Sequence, residues 1–163
     1  MKITKKMEEE LNKQINAEFY SAYLYLSMAV YLEGQNFSGM AHWMKMQSEE
    51  ELEHGMKIYK YLFEREGTVV LDRIDKPKTK WETVLEVFKE AYEHEKKVTG
   101  MIGELYKLAE AENDYATKVM LNWFVEEQVE EEAQANAIIG KLKLIGESKN
   151  GLLILDKNLG QRK

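Results

Sequence analysis

Apolar residues recur at intervals of three and four along four long stretches of the 163-residue chain, the spacing that lines one face of an α-helix. The pattern predicts helices over residues 5–33, 37–65, 81–111 and 115–145. Stop signals separate them: Gly34-Gln35-Asn36, then Gly67, then Glu112-Asn113-Asp114, and finally Gly146. Lys149-Asn150-Gly151 opens a tail, GLLILDKNLG, predicted to form a short fifth helix at about 149–160. The other links are short, but residues 67–80 (GTVVLDRIDKPKTK) hold the only proline and carry little helix signal. A link of that length can travel the height of a bundle, whereas short links join antiparallel neighbours. The expectation is an all-α chain, one domain over 1–163, with a four-helix bundle at 5–145 and one long crossover between its second and third helices.

Each apolar stripe is interrupted once. The first helix aligns Leu11, Ile15, Glu18, Ala22, Tyr25, Ala29 and Leu32, and the second aligns Phe37, Met40, Met44, Glu51, Ile58 and Leu62. The third aligns Trp81, Val84, Phe88, Ala91, Glu95, Val98, Ile102 and Tyr106; the fourth aligns Met120, Phe124, Glu131, Ala135, Ile138 and Leu142. Every interrupting glutamate sits near the middle of its helix. Midpoints share one level in a bundle whichever way the helices run, so Glu18, Glu51, Glu95 and Glu131 are expected to converge inside. Burying an unpaired carboxylate costs roughly several kcal/mol. Four together cannot all stay ionised without cations.

His54, three residues after Glu51, adds a neutral nitrogen donor on the same flank, and Glu127 and Gln128 lean the same way. Such a set can hold two divalent ions with bridging carboxylates. Oxygen donors with one imidazole and no thiolate suit iron or manganese and do not exclude zinc. Any one of these glutamates alone reads as a boundary residue whose tip reaches water; the coincidence of all of them points to metal.

Composition narrows the alternatives. The net charge of −6, from 23 basic and 29 acidic residues, argues against a general nucleic-acid binder and is compatible with attracting cations. No apolar run approaches the ~18 residues of a membrane span. The opening MKITKKMEEELNKQ has no apolar segment, so no secretory signal is expected. Cysteine is absent, which excludes disulfides, thiolate zinc sites and iron–sulfur clusters and fits a cytoplasmic location.

The motifs LNKQINAEFYSAYLYLSM (11–28), HWMKMQSEEELEHGMKIY (42–59), YEHEKKVTG (92–100) and NWFVEEQVEEE (122–132) resemble those of non-haem ferritins of the bacterial and archaeal kind. The likeness runs through the tail, LDKNLGQR. It implies a ferritin-like four-helix bundle that stores and detoxifies iron. It also implies a ferroxidase centre within each subunit, where O2 or H2O2 oxidises Fe(II) to Fe(III).

By that resemblance one iron is held by Glu18, Glu51 and His54. The second shares Glu51 and takes Glu95 and Glu131, with Gln128 close by. A third iron position is implied at Glu50, Glu127, Glu130 and Glu131. Tyr25 matches the family's tyrosine beside the centre, as an electron donor or as a hydrogen-bond donor to a ligand, and Trp123 matches a neighbouring aromatic. A hollow homo-oligomeric shell of 24 subunits, filled with ferric mineral, is also implied, with the tail helix gathered at fourfold axes.

Departures exclude near relatives. A bacterioferritin would repeat Glu-x-x-His on the fourth helix, where Glu127 is followed by Glu130, and would place a haem-binding methionine where this chain has Leu52. No haem is expected. His94, next to Glu95, is expected at the surface or an interface, and His42 lies off the stripe. Tyr20, Tyr23, Leu24 and Met28 form a second apolar patch on the first helix, which predicts a homo-oligomer. Residues alone leave two other functions open: oxygen activation on an organic substrate without mineral, and a metal-free bundle with protonated core carboxylates.

Overall fold

Five helices order the chain in the computed structural model, which describes residues 1–163. They are α1 (Lys5–Gly34), α2 (Ser38–Glu64), α3 (Val84–Ala111), α4 (Tyr115–Ile145) and α5 (Lys149–Leu159). Side-chain caps set most of the starts: Thr4, Thr83, Asp114 and Ser148 each accept a hydrogen bond from the backbone N–H three residues on. The expected start of the third helix at residue 81 is therefore three residues early. Thr83 is the cap, and Trp81 lies outside the helix with its ring buried against Tyr31 and its Nε1 donating to Glu90 at 2.8 Å.

Three helix ends close in one way. Asn36, Glu66 and Asn113 take positive φ (65°, 56° and 54°). The next N–H then returns to the carbonyl five residues back: Phe37 to Leu32, Gly67 to Leu62 and Asp114 to Ala109. Gly67, the expected terminator of α2, follows the left-handed residue; Glu66 occupies it.

α1 packs on α2 and α3 on α4, with α1 also against α3. The crossover is strapped along α1. Asn12 donates to the Thr68 carbonyl and accepts from the Val70 N–H, Asn16 donates to the carbonyls of Asp72 and Arg73, and Ser27 donates to that of Lys78. Successive crossover residues thus climb α1, which returns the chain to the end where α3 begins.

The interior is two apolar clusters, not one. The first gathers Leu24 to Leu32, Met40 to Met44, Phe88, Ile138 and Leu142; the second gathers Met7 to Ile15, Ile58, Leu62, Ile102, Leu121 and Phe124. Glu18, Glu51, Glu95 and Glu131 fall between them along every helix, and all four are buried. Gly55 keeps α1 and α2 close at this level, since a Cβ there would meet the Phe19 ring at 2.5 Å.

Arg65 and Asp114 form a buried ion pair at the far end, with the carboxylate also capping α4 through Thr117. Asp114→Ala is expected to cost about 3 kcal/mol or more, because Arg65 would stay buried without its partner and α4 would lose its cap. Asp114→Asn keeps the cap and should lose less. Denaturant unfolding followed by circular dichroism checks both. A loss below about 1 kcal/mol for the alanine variant would mean the pair behaves as a solvated one.

Candidate metal centre

The polar layer between the two apolar clusters draws one carboxylate from each long helix. Glu18, Glu51 and His54 present donor atoms within 4.8 Å of one another, and His54, Glu127 and Glu131 form a second such group. Glu95 belongs to the same layer, since its charge acts on Glu18, Glu51 and Glu131. Glu18, Glu51, Glu131 and His54 thus fall into two donor groups that share His54, and Glu95 lies in the same layer, outside both groups, bonded to Tyr25 and Gln128.

Three buried glutamines hold the carboxylates. Gln14 Nε2 donates to Glu18 Oε1 at 2.7 Å, Gln47 Nε2 to Glu131 Oε2 at 2.6 Å, and Gln128 Nε2 to Glu95 Oε2 at 3.1 Å. Tyr25 adds its hydroxyl to Glu95 Oε1. Glu51 receives no such donor. Its Oε2, with Oε2 of Glu18, is a buried oxygen that no amide, hydroxyl or backbone donor reaches, and only a proton held between the two carboxyls links them. His54 Nδ1 lies 3.5 Å from that Glu51 oxygen, a contact and not a hydrogen bond.

Two orphaned oxygens facing an imidazole are the environment a cation completes. A buried polar atom left unpaired costs about 1–3 kcal/mol, more when charged. The donor set fits iron.

Electrostatics agree. Burial pushes the Glu18 carboxyl up to about 7, against the opposing hydrogen bonds from Glu51 and then Gln14. Burial and then the Glu95 charge push Glu131 to about 8. Glu51 rises well above its ordinary value through burial and the charges of Glu95 and Glu18, and burial also raises Glu95. Burial lowers His54 to about 4, so its imidazole is neutral and free to donate a lone pair near pH 7. Tyr25 is raised well above 10, chiefly by burial, and stays a phenol.

The outer acids differ. Glu127 faces the layer, but Glu50 pairs with Arg162 at 2.6 Å and exposed Glu130 accepts from Gln134 at 2.7 Å. Trp123 stacks edge-on against His54, with ring centroids 5.2 Å apart.

His94, expected at the surface or an interface, sits half-buried between α1 and α3. Its Nε2 shares a 2.7 Å hydrogen bond with Ser21, its ring packs near Tyr20 and Tyr25, and burial lowers it to about 4. α3 crosses α1 at this point and half-covers a residue that helical spacing alone would turn outward. The same crossing corrects the second apolar patch, because Leu24 and Met28 are core residues.

Sequence reasoning missed Gln14, Gln47 and Arg162. The first two carried a signal: each stands four residues before a stripe glutamate, Glu18 or Glu51, and so on the same face. Arg162 carried none, since it reaches the layer only through the folded tail.

A model of the ferritin-like domain family matches residues 8–145. A bacterial non-heme ferritin from Bacteroides fragilis is 46% identical over 160 residues, covering 98% of this chain and 99% of that protein. One from Staphylococcus aureus is 38% identical, covering 98% and 96%. The structure of an open pore ferritin from the hyperthermophilic archaeon Archaeoglobus fulgidus superposes with a TM-score of 0.98 at 50% identity, covering 99% of each chain.

The shifts predict a pH dependence. Metal-free folded protein holds protons on Glu18 and Glu131 that the unfolded chain has released, so stability falls as pH rises toward their folded values near 7 and 8. His54 and His94 act oppositely, but only below their unfolded value of about 6.5. The melting temperature of the metal-free protein is expected to drop between pH 6.5 and 8.5 and to recover with Zn(II). A flat or rising profile would contradict proton uptake by the layer.

Proposed function

Because the chain belongs to the ferritin-like family, we propose that it takes up ferrous iron, oxidises it within its own helix bundle and stores the ferric product. The observation that carries this reading is the pair of buried oxygens on Glu18 and Glu51 that no amide or hydroxyl donor reaches, beside a neutral His54. Iron is the substrate and the cargo. One ion is taken by Glu18, Glu51 and His54; a second shares Glu51 and uses Glu95 and Glu131. The outer acids Glu50, Glu127, Glu130 and Glu131 take a third ion or pass product onward.

The chemistry needs two reducing equivalents at once. Two ferrous ions give two electrons to O2, which takes up two protons and leaves as H2O2; with H2O2 as oxidant the products are water. Holding both ions in one layer avoids a free one-electron product. Entering cations displace protons from Glu18 and Glu131, and water hydrolysed by the ferric product releases more. Gln14, Gln47 and Gln128 hold the carboxylates in place, and Tyr25 anchors Glu95 through its hydroxyl. That contact suits a positioning role for Tyr25 and equally gives its proton an acceptor in the electron-donor role.

Storage needs a container, and the surface supports assembly of like chains into one. Tyr23, Leu26 and Val30 of α1 and Leu52, Met56 and Phe63 of α2 are exposed, as are Val70, Leu71 and Ile74 of the strap. Helical spacing puts the six helix residues on the outer side of the α1–α2 pair. This face replaces the patch expected from Leu24 and Met28 as the ground for a homo-oligomer. A shell of 24 copies is the assembly we propose, with bundle and tail helix acting as one domain. No helix is long and apolar enough to cross a membrane, and we place the shell in the cytoplasm.

Iron loading in air tests the function. Uptake far beyond the ions each chain can ligate supports storage; about two ions per chain would mean a centre acting on another substrate, and none a metal-free bundle. Glu18→Ala combined with His54→Ala is expected to abolish fast ferrous oxidation in stopped flow while size-exclusion chromatography still shows the assembly. An unchanged oxidation rate in an assembled double variant would refute the ligand assignment.

A further inference from the structure

After α5 the chain turns back over α2, and its penultimate residue reaches the polar layer. The backbone carbonyl of Arg162 bonds His42 Nε2 at 2.8 Å, and its guanidinium lies 4.8 Å from the Trp43 ring centroid. One nitrogen, Nη2, donates to Glu50 Oε2 at 2.6 Å; the other, Nη1, donates to the side-chain oxygen of Gln47. Gln47 is wholly buried, and its amide nitrogen is the donor to Glu131.

Two consequences follow from this geometry. An amide has one oxygen and one nitrogen end. With the oxygen of Gln47 claimed by a guanidinium, the nitrogen must face Glu131, so Arg162 decides which way Gln47 points. The guanidinium also neutralises Glu50, the acid whose charge bears on both Glu127 and Glu131. A cation entering among Glu50, Glu127 and Glu131 meets a positive charge already in place.

We propose that Arg162 is a positioning residue for the outer edge of the centre: a tethered cation that orients Gln47 toward Glu131 and competes with divalent ions for Glu50. This rests on the metal reading given above and extends it, because the competition makes the outer ion bind more weakly than the two inner ones. Weak outer binding suits a place that ions pass through. Arginine serves here better than lysine, since its planar fork reaches Gln47 and Glu50 together.

Calorimetric titration of the metal-free full chain with Zn(II), a redox-inert probe, tests the proposal. The parent should bind two equivalents tightly and a further one weakly. Arg162→Gln should leave the equivalent held by Glu18, Glu51 and His54 unchanged, weaken the one that uses Glu131 because Gln47 is freed, and tighten the weak outer one about fivefold, the scale of a partly exposed ion pair. Arg162→Lys keeps the charge and should return that affinity to within about twofold of the parent.

A purely structural role would lower the melting temperature of Arg162→Gln and leave the weak affinity unmoved, which would overturn the proposal. So would Arg162→Lys behaving like Arg162→Gln. Failure of the parent to bind the tight equivalents is a separate outcome: it would remove the metal reading itself, and this proposal with it.

Discussion

Four carboxyl groups withdrawn from water between two apolar half-cores are the constraint on which the rest of this protein depends. Each costs several kcal/mol to bury charged and unpaired, roughly the scale of a domain's whole stability margin. The fold answers in three ways. It lets the groups keep protons, as the raised values of Glu18 and Glu131 record. It surrounds Glu18, Glu95 and Glu131 with amide donors. It leaves one oxygen each on Glu18 and Glu51 without an amide or hydroxyl donor, in a group where the two carboxyls and a neutral imidazole meet. The first two make the metal-free state tolerable, and the third makes it incomplete.

Proton and metal therefore compete for the same oxygens, and that competition joins structure to chemistry. A layer that was fully satisfied without metal would hold ions poorly. One with no protons and no glutamines would repel itself apart. The apolar clusters on either side matter as much as the ligands, because they keep water from paying the missing hydrogen bonds. Gly55 belongs to the same design, for it lets α1 and α2 approach where Glu18 and Glu51 must meet.

Much of this was legible in the residues because helical periodicity is a local property. The stripes placed Glu18, Glu51, Glu95 and Glu131 inward, and their central positions placed them at one height. What the stripes could not show depends on contacts between elements. Helical spacing alone turns His94 outward, and the crossing of α3 over α1 half-buries it; the same spacing puts Leu24 and Met28 in a surface patch, yet both are core residues. Trp81 continued the apolar rhythm of α3, yet Thr83 captures the Glu86 N–H and starts the helix later. Gly67 reads as the stop signal of α2, yet Glu66 takes the positive φ and Gly67 supplies the closing hydrogen bond to Leu62. Arg162 lies more than a hundred residues from Gln47 and Glu50 in sequence, and only the folded tail brings them together.

The most direct measurement is anomalous diffraction at the iron edge from a crystal loaded with Fe(II) without oxygen. The account predicts two strong peaks in the layer between the apolar clusters, one within ligand distance of Glu18, Glu51 and His54 and one reached by Glu51, Glu95 and Glu131. Peaks confined to surface acids, with the layer empty and its carboxyl groups bonded only to one another, would contradict it.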